Sequence, residues 1–249
     1  ICLSLAVFTK GTAYLIAFPF MLVYFGNLIP KGVKLTAWNM LIITGILVLI
    51  NGSHYYRNYK VYNNPLSPGS DNNIICTQFD PAALVSCVTK NIATQLGSGS
   101  RSVNKSLRAA TNLIHSYIGI DVNDPDLTTN EPFRIIPPII HEDYAHAPMH
   151  MTLMLFGAVA LVLRWGKMSR EALLFTAACM LSFVILSIGI KWNPFISRYF
   201  LPFFIIAAPF LSLIYDGVKL RPIVNFVALA LLLFSFFVLS FNEMRPLVG

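Results

Sequence analysis

The chain has 249 residues, 56% of them hydrophobic and only 12% charged, and its formal net charge is +7. A soluble domain is nearer half apolar and about a quarter charged. With a mean hydropathy of +0.66, the composition argues against a soluble globular class and for an integral membrane protein.

The chain opens inside an apolar run, with no initiator Met and no basic leader. Ile1 is read as a point within a longer protein, and Ile1–Thr9 lacks the form of a signal peptide. In "LAVFTKGTAYLIAFPFMLVYF" Lys10 interrupts the apolar run and Gly11 follows it. One continuous helix would place the ammonium near the bilayer centre, at a cost of a few kcal/mol. The cheaper solution is an outer-surface turn at Thr9-Lys10-Gly11. Residues before it then end a rising helix, and Thr12–Phe25 descends. Pro19 is expected to kink that helix.

Further uncharged stretches approach the roughly 20 residues that cross a bilayer. They are Ala37–Ile50, Met149–Leu163, Ala172–Ile190, Tyr199–Tyr215 and Ile223–Phe241. Between the first two lies a segment of about 95 residues, far longer than an ordinary connection. Within it, "DPAALVSCVTKNIATQLG" predicts a helix with Asp80 as N-cap, Pro81 in the first turn and Gly97 past the end. "SVNKSLRAATNLIHSYIGI" sets Val103, Leu107, Ala110, Ile114, Tyr117 and Ile118 on one helical face. Two amphipathic helices packed on the membrane part are therefore expected. "YNNPLSPGSDNN" and "DVNDPDLTTNEPF" are turn-rich loops.

Charge placement orients the chain. Lys31 and Lys34, then Arg164, Lys167 and Arg170, then Lys219 and Arg221 all fall on one side if each apolar stretch crosses once. That side is cytoplasmic by the positive-inside rule. Ser53–Pro148, with seven Lys/Arg against eight Asp/Glu, is then extracytoplasmic. Lys191 and Arg198 form a basic pair on that outer side, against the rule. The expected fold is an all-α polytopic membrane protein of about six transmembrane helices plus a largely helical extracytoplasmic loop region. Its parts are 1–52, transmembrane helices with an outer turn at Lys10; 53–148, the extracytoplasmic region; and 149–249, transmembrane helices.

Four motifs bear on chemistry. "HEDYAHAPMH" packs His141, Glu142, Asp143, His146 and His150 into ten positions where the chain re-enters the membrane. It is either a solvated helix entry, with the carboxylates favoured by the helix dipole, or a site that binds a cation or moves protons. Its histidines do not follow the HExxH order, and no metal site is assigned. "DVNDPD" lacks the glycine and glutamate of a calcium loop and reads as a capped turn. In "KWNPFISRYFLPFF" Arg198 stands at the lip of a helix that Pro202 bends; it either snorkels or joins a lysine in gripping a phosphate. Cys2 and Cys179 are core packing. Cys76 and Cys87 lie in the outer segment, expected within disulfide range, with Cα atoms about 4.4–6.8 Å apart; two unpaired small residues is the alternative.

"LAVFTKGTAYLIAFP", "HYYRNYKVYNNPLSPG", "HEDYAHAPMH" and "SRYFLPFF" together resemble the integral-membrane glycosyltransferases of the GT-C superfamily. The likeness is nearest to the bacterial enzymes related to protein mannosyltransferases and to the aminoarabinose transferase of lipid A. It spans most of the chain. It implies a polytopic helical fold, a sugar donor on a polyprenyl phosphate, and inverting transfer at the outer face of the inner (plasma) membrane to a glycan, lipid or protein acceptor. It also implies a catalytic aspartate in an outer loop upstream of Ile1, so the base itself is not assigned; Glu142 and Asp143 are the candidates within this chain. Read together with the residues, Lys10 and Arg198 bind the lipid phosphate, and Tyr55, Arg57, Asn58 and His141 bind substrate. A divalent metal ion is a conceivable cofactor. Membrane lipids are expected partners and nucleic acid is not. Two other classes compete. A transporter or flippase for a lipid-linked or anionic solute wants charges at mid-membrane depth and broken helices. An envelope scaffold wants an exposed apolar patch on the amphipathic helices.

Overall fold

The computed structural model describes residues 1–66, 74–137, 144, 146–215 and 221–241. Among them the chain is all-helical, apart from two isolated β-bridges. In order the helices are α1 (Cys2–Thr9), α2 (Ala13–Leu28), α3 (Val33–Tyr62), α4 (Pro81–Gln95), α5 (Arg101–Ile118), α6 (Pro148–Arg164), α7 (Arg170–Gly189), α8 (Ser197–Tyr215) and α9 (Arg221–Ser240). Short 3₁₀ turns follow α2 at Ile29–Lys31 and α6 at Trp165–Lys167.

Among the described residues three helices are long and apolar enough to cross a membrane: Ala13–Lys31, Val33–Tyr62 and Arg170–Gly189. Shorter apolar helical stretches occupy Pro148–Arg164, Ser197–Ser212 and Asn225–Phe236. Many large apolar side chains of α2, α3, α6 and α9 point outward, among them Phe18, Leu22, Leu41, Leu49, Val162, Leu163, Phe226 and Phe236. An apolar surface this extensive is a liability in water and ordinary against lipid. Between helices, polar atoms bond to backbone instead. Asn51 on α3 donates from Nδ2 to the Ser4 carbonyl of α1 (3.1 Å), and Ser182 on α7 donates from Oγ to the Ile16 carbonyl of α2 (2.8 Å). Such bonds are a common way for apolar helices to recognise one another.

The expected turn forms. α1 stops at Thr9, Lys10 is extended, and α2 starts after Gly11 and Thr12. α3 departs from the hydropathy reading: it does not end near Asn51 but runs on as a helix to Tyr62. It closes at Asn63 in the left-handed conformation (φ 53°), with Pro65 two residues on. Tyr55, Arg57 and Asn58 therefore sit on a helix rather than in a loop.

α4 is capped as expected, with the Asp80 carboxylate accepting from the Ala83 amide at 2.9 Å. It packs between α5 on one side and α6 and α7 on the other, so it joins the 74–137 region to the apolar helices. The β-bridges strengthen that joint. Ile75 pairs with Ile190 and Thr128 with Trp192, so residues 190–192 lie between two segments of that region. Backbone bonds run from Lys191 N to Ile74 O (2.6 Å) and from Trp192 N to Leu127 O (3.0 Å). The main core centres there, with Trp192 edge-on to Phe133 and continuing through Leu186, Ile196, Phe200, Phe203 and Phe210.

α5 is inverted relative to expectation. The side it buries is polar, with Asn104, Thr111 and His115, whereas Val103, Ala110, Ile114 and Tyr117 of the predicted apolar face are exposed. The buried polar groups are satisfied: His115 bonds Ser86 Oγ of α4 and the Thr111 carbonyl, each at 2.8 Å.

Candidate functional site

Three chain segments meet at the end of the bundle where α1 turns into α2 and α8 begins. The break after Thr9 carries Lys10 out of the helix, and its ammonium reaches the Arg198 carbonyl at 3.3 Å, across 188 positions of sequence. The same ammonium lies over the Tyr199 ring, 4.6 Å from its centroid. Arg198, in the first turn of α8, holds its guanidinium 5.2 Å from that ring and 5.7 Å from the Phe195 ring, and donates to the Tyr199 hydroxyl at 3.3 Å. Two cations thus share one tyrosine. Each is drawn by the ring's negative face, and together they place positive charge at the end of an apolar bundle.

The base of this site is fixed by a contact that sequence spacing did not reveal. His146 bonds Ser197, the first residue of α8, from Nδ1 to Oγ at 2.6 Å, and its Nε2 lies 2.9 Å from the Ile136 carbonyl. A carbonyl only accepts, so Nε2 carries the proton and Nδ1 accepts from the serine. Burial pushes the His146 pKa down and favours the neutral ring, opposed only in part by the Ile136 bond. Gly97 makes room for it. A Cβ at Gly97 would lie 2.9 Å from His146 Cδ2, Ile135 Cγ2 and the Thr94 carbonyl oxygen. The expected role of Gly97 past the end of α4 is therefore joined by a second, close packing against the histidine. The serine and the ring are both buried, so the pair positions the start of α8 rather than offering a reachable nucleophile.

The α3 candidates form a second group. Tyr55 shares a hydrogen bond with the Tyr14 hydroxyl of α2, one turn from the Lys10 break. Arg57 bonds His54 Nδ1 at 3.2 Å, and the Asn58 amide lies 3.2 Å from His54 Nε2 and 3.4 Å from the Pro65 carbonyl. The His54 ring packs edge-on to Phe8, two residues before Lys10. Asn58 is buried and Arg57 exposed.

His141, Glu142 and Asp143 lie outside the described residues. The sequence reading allowed a phosphate-gripping lysine beside Arg198. Lys191 does not supply it: it is buried and its ammonium donates to the Pro125 carbonyl at 2.6 Å. "DVNDPD" is a capped turn, with Asp121 accepting from the Asn123 amide and Asp124 from the Asp126 amide, both at 2.8 Å. Asp126 also accepts from the Thr77 hydroxyl at 2.6 Å. Among the described residues no group of three His, Cys, Asp or Glu is placed to hold a metal ion. Lys90, fully buried on α4, reaches Thr128 Oγ1 at 2.7 Å and the Leu127 carbonyl at 3.1 Å. It ties α4 to the segment before Phe133 and is a structural lysine. No family model, curated protein or solved structure matches the chain.

Proposed function

We propose that the chain is part of a polytopic membrane glycosyltransferase of GT-C type, with six full spans (α2, α3, α6, α7, α8 and α9) in the inner membrane and the 53–148 region outside. In this reading a sugar passes from a polyprenyl-phosphate donor to a glycan, lipid or protein acceptor at the extracytoplasmic face. The observation that carries it is the meeting of Lys10 and Arg198 at Tyr199. A lipid-borne donor puts its phosphate at the membrane surface, and two cations at a bundle end meet that requirement. They would hold the phosphate and stabilise the charge that builds on its oxygen as the sugar departs. Tyr55, Arg57, Asn58 and His141 would bind the sugar side. Glu142 and Asp143 are the candidates within this chain for orienting the acceptor.

The test is transfer by the intact enzyme from a polyprenyl-linked donor. Arg198→Ala should lower turnover about 10- to 100-fold, the equivalent of one lost charge-assisted grip. Arg198→Lys should recover only part of it, because lysine lacks the bidentate fork. Normal turnover by Arg198→Ala would overturn the proposal.

The transporter or flippase reading stands as the alternative, supported if the protein moves a lipid-linked solute across vesicles without cleaving it. A scaffold reading gains one specific observation, the exposed apolar face of α5 at Val103, Ile114 and Tyr117. Capture of a defined envelope protein that is lost with Tyr117→Glu, together with no transfer activity, would favour it.

A further inference from the structure

We propose that Cys76 and Cys87 are a disulfide-forming pair that clamps the segment leading into the Ile75–Ile190 bridge onto α4. The two sulfurs lie 4.0 Å apart, and both residues are buried, 1% exposed each. A small apolar cluster encloses them, formed with Ala83 and Leu127 and flanked by Ile120. The two are free thiols in contact here, and a disulfide would draw their sulfurs to about 2.05 Å. Cys2 is exposed on α1 and Cys179 is buried on α7, so neither competes for a partner in the 74–137 region.

What the bond would hold is specific. The Ile74 carbonyl accepts from the Lys191 amide, and Thr77 bonds Asp126 through both its amide and its hydroxyl. Cys76 lies between those two attachments. Linking it to α4 joins the bridge that orders residues 190–192, and hence the approach to Ser197 and Arg198, to the helix that packs on α6 and α7.

The chemistry is thiol–disulfide exchange with a disulfide donor, either a small-molecule disulfide or an oxidoreductase. The hydrogen bond from Cys76 holds the Cys87 thiol below its ordinary pKa, and the nearby Lys90 ammonium acts the same way. The bond to Cys87, together with burial, pushes the Cys76 thiol up. Exchange starts at one thiol of the pair, taken here as Cys87. Its thiolate attacks the donor, breaks the donor S–S bond, forms a mixed disulfide and releases one donor thiol. The Cys76 thiolate then attacks the Cys87 sulfur, and the second donor thiol leaves. Two protons are lost from the pair, its sulfurs are oxidised by two electrons, and the donor is reduced to two thiols. Because both sulfurs are buried, the exchange takes place before the cluster closes or when it opens locally.

An oxidising compartment for this step rests on the extracytoplasmic placement proposed above. The test separates the two. The protein is quenched in acid as isolated, unfolded, and labelled with a maleimide. Two labels are expected, rising to four after reduction, with a cross-linked 76–87 peptide lighter by two hydrogens. Cys87→Ser should take three labels; a single label would mean that Cys76 pairs with Cys2 or Cys179 and would overturn the assignment. If the native chain takes four labels as isolated, it is refolded with oxidised glutathione. A 76–87 bond formed only then keeps the pair and rejects the extracytoplasmic placement. Four labels after that step reject the pair.

Discussion

Gly97→Ala isolates the packing beneath the candidate site. The added methyl would stand 2.9 Å from three atoms at once: His146 Cδ2, Ile135 Cγ2 and the Thr94 carbonyl oxygen. Unstrained carbon contacts lie at about 3.5–4.0 Å, so each neighbour must yield by more than half an ångström. The Thr94 oxygen cannot, because it belongs to the backbone of α4. Ile135 and His146 must therefore move, and His146 is held by Ser197 at 2.6 Å and the Ile136 carbonyl at 2.9 Å. Overpacking of this kind costs about 1–3 kcal/mol. For a chain of this size each kcal/mol shifts the unfolding midpoint by about 2–4 °C. A fall of roughly 2–12 °C is expected in a thermal scan of the purified protein in detergent. Donor turnover should also fall, because the start of α8 shifts with Ser197. An unchanged midpoint for Gly97→Ala would refute the argument.

Further outcomes follow from the same contacts. His115 and His146 are both held below the ordinary histidine value of 6.5, chiefly by burial. A depressed histidine means that the unfolded chain binds protons the folded chain refuses, so stability is full above about pH 6.5 and declines as pH falls below it. Denaturant midpoints at pH 8, 6 and 5 should show this, and the slope should flatten in His146→Gln; an unaltered slope there counts against the assignment. Asn51→Leu removes the bond to Ser4 but leaves the apolar packing, and should cost less than about 1 kcal/mol, the usual worth of an interhelical hydrogen bond between apolar helices. A cysteine placed at Lys167 should resist an impermeant thiol reagent added outside intact cells, and one placed at Lys105 should react; labelling of position 167 from outside contradicts the proposed orientation.

Local signals were legible in the sequence and non-local ones were not. The Asp80–Pro81 helix start and the Thr9-Lys10-Gly11 turn follow from side chains acting within a few residues of themselves, so reading along the chain finds them. The end of α3 was missed because hydropathy stops at Asn51 while helix formation does not. "HYYRNYKVY" holds no breaker, and the helix continues until Asn63 and Pro65 stop it. The faces of α5 were grouped rightly by period, but period cannot say which face meets α4. The structure buries the polar one, because Ser86 and the Thr111 carbonyl satisfy His115 there. The pairing of His146 with Ser197, 51 positions away, carries no spacing signature at all. Nor does the buried bond from Lys191 to Pro125, which removes that lysine from the rim. Arg198 and Lys10, in contrast, stood out in the sequence as charges that open or interrupt apolar runs, a feature legible along the chain.

The central claim is that Lys10 and Arg198 together grip an anionic lipid phosphate. Its most direct test is equilibrium binding of a short-chain polyprenyl phosphate, and of the matching polyprenol without phosphate, to the purified protein and to Lys10→Ala and Arg198→Ala. The account predicts that each variant binds the phosphate at least about tenfold more weakly, a loss of about 1.4 kcal/mol, while binding of the alcohol is unchanged. Equal affinity of all three proteins for the phosphate, or equal losses for phosphate and alcohol, would contradict it.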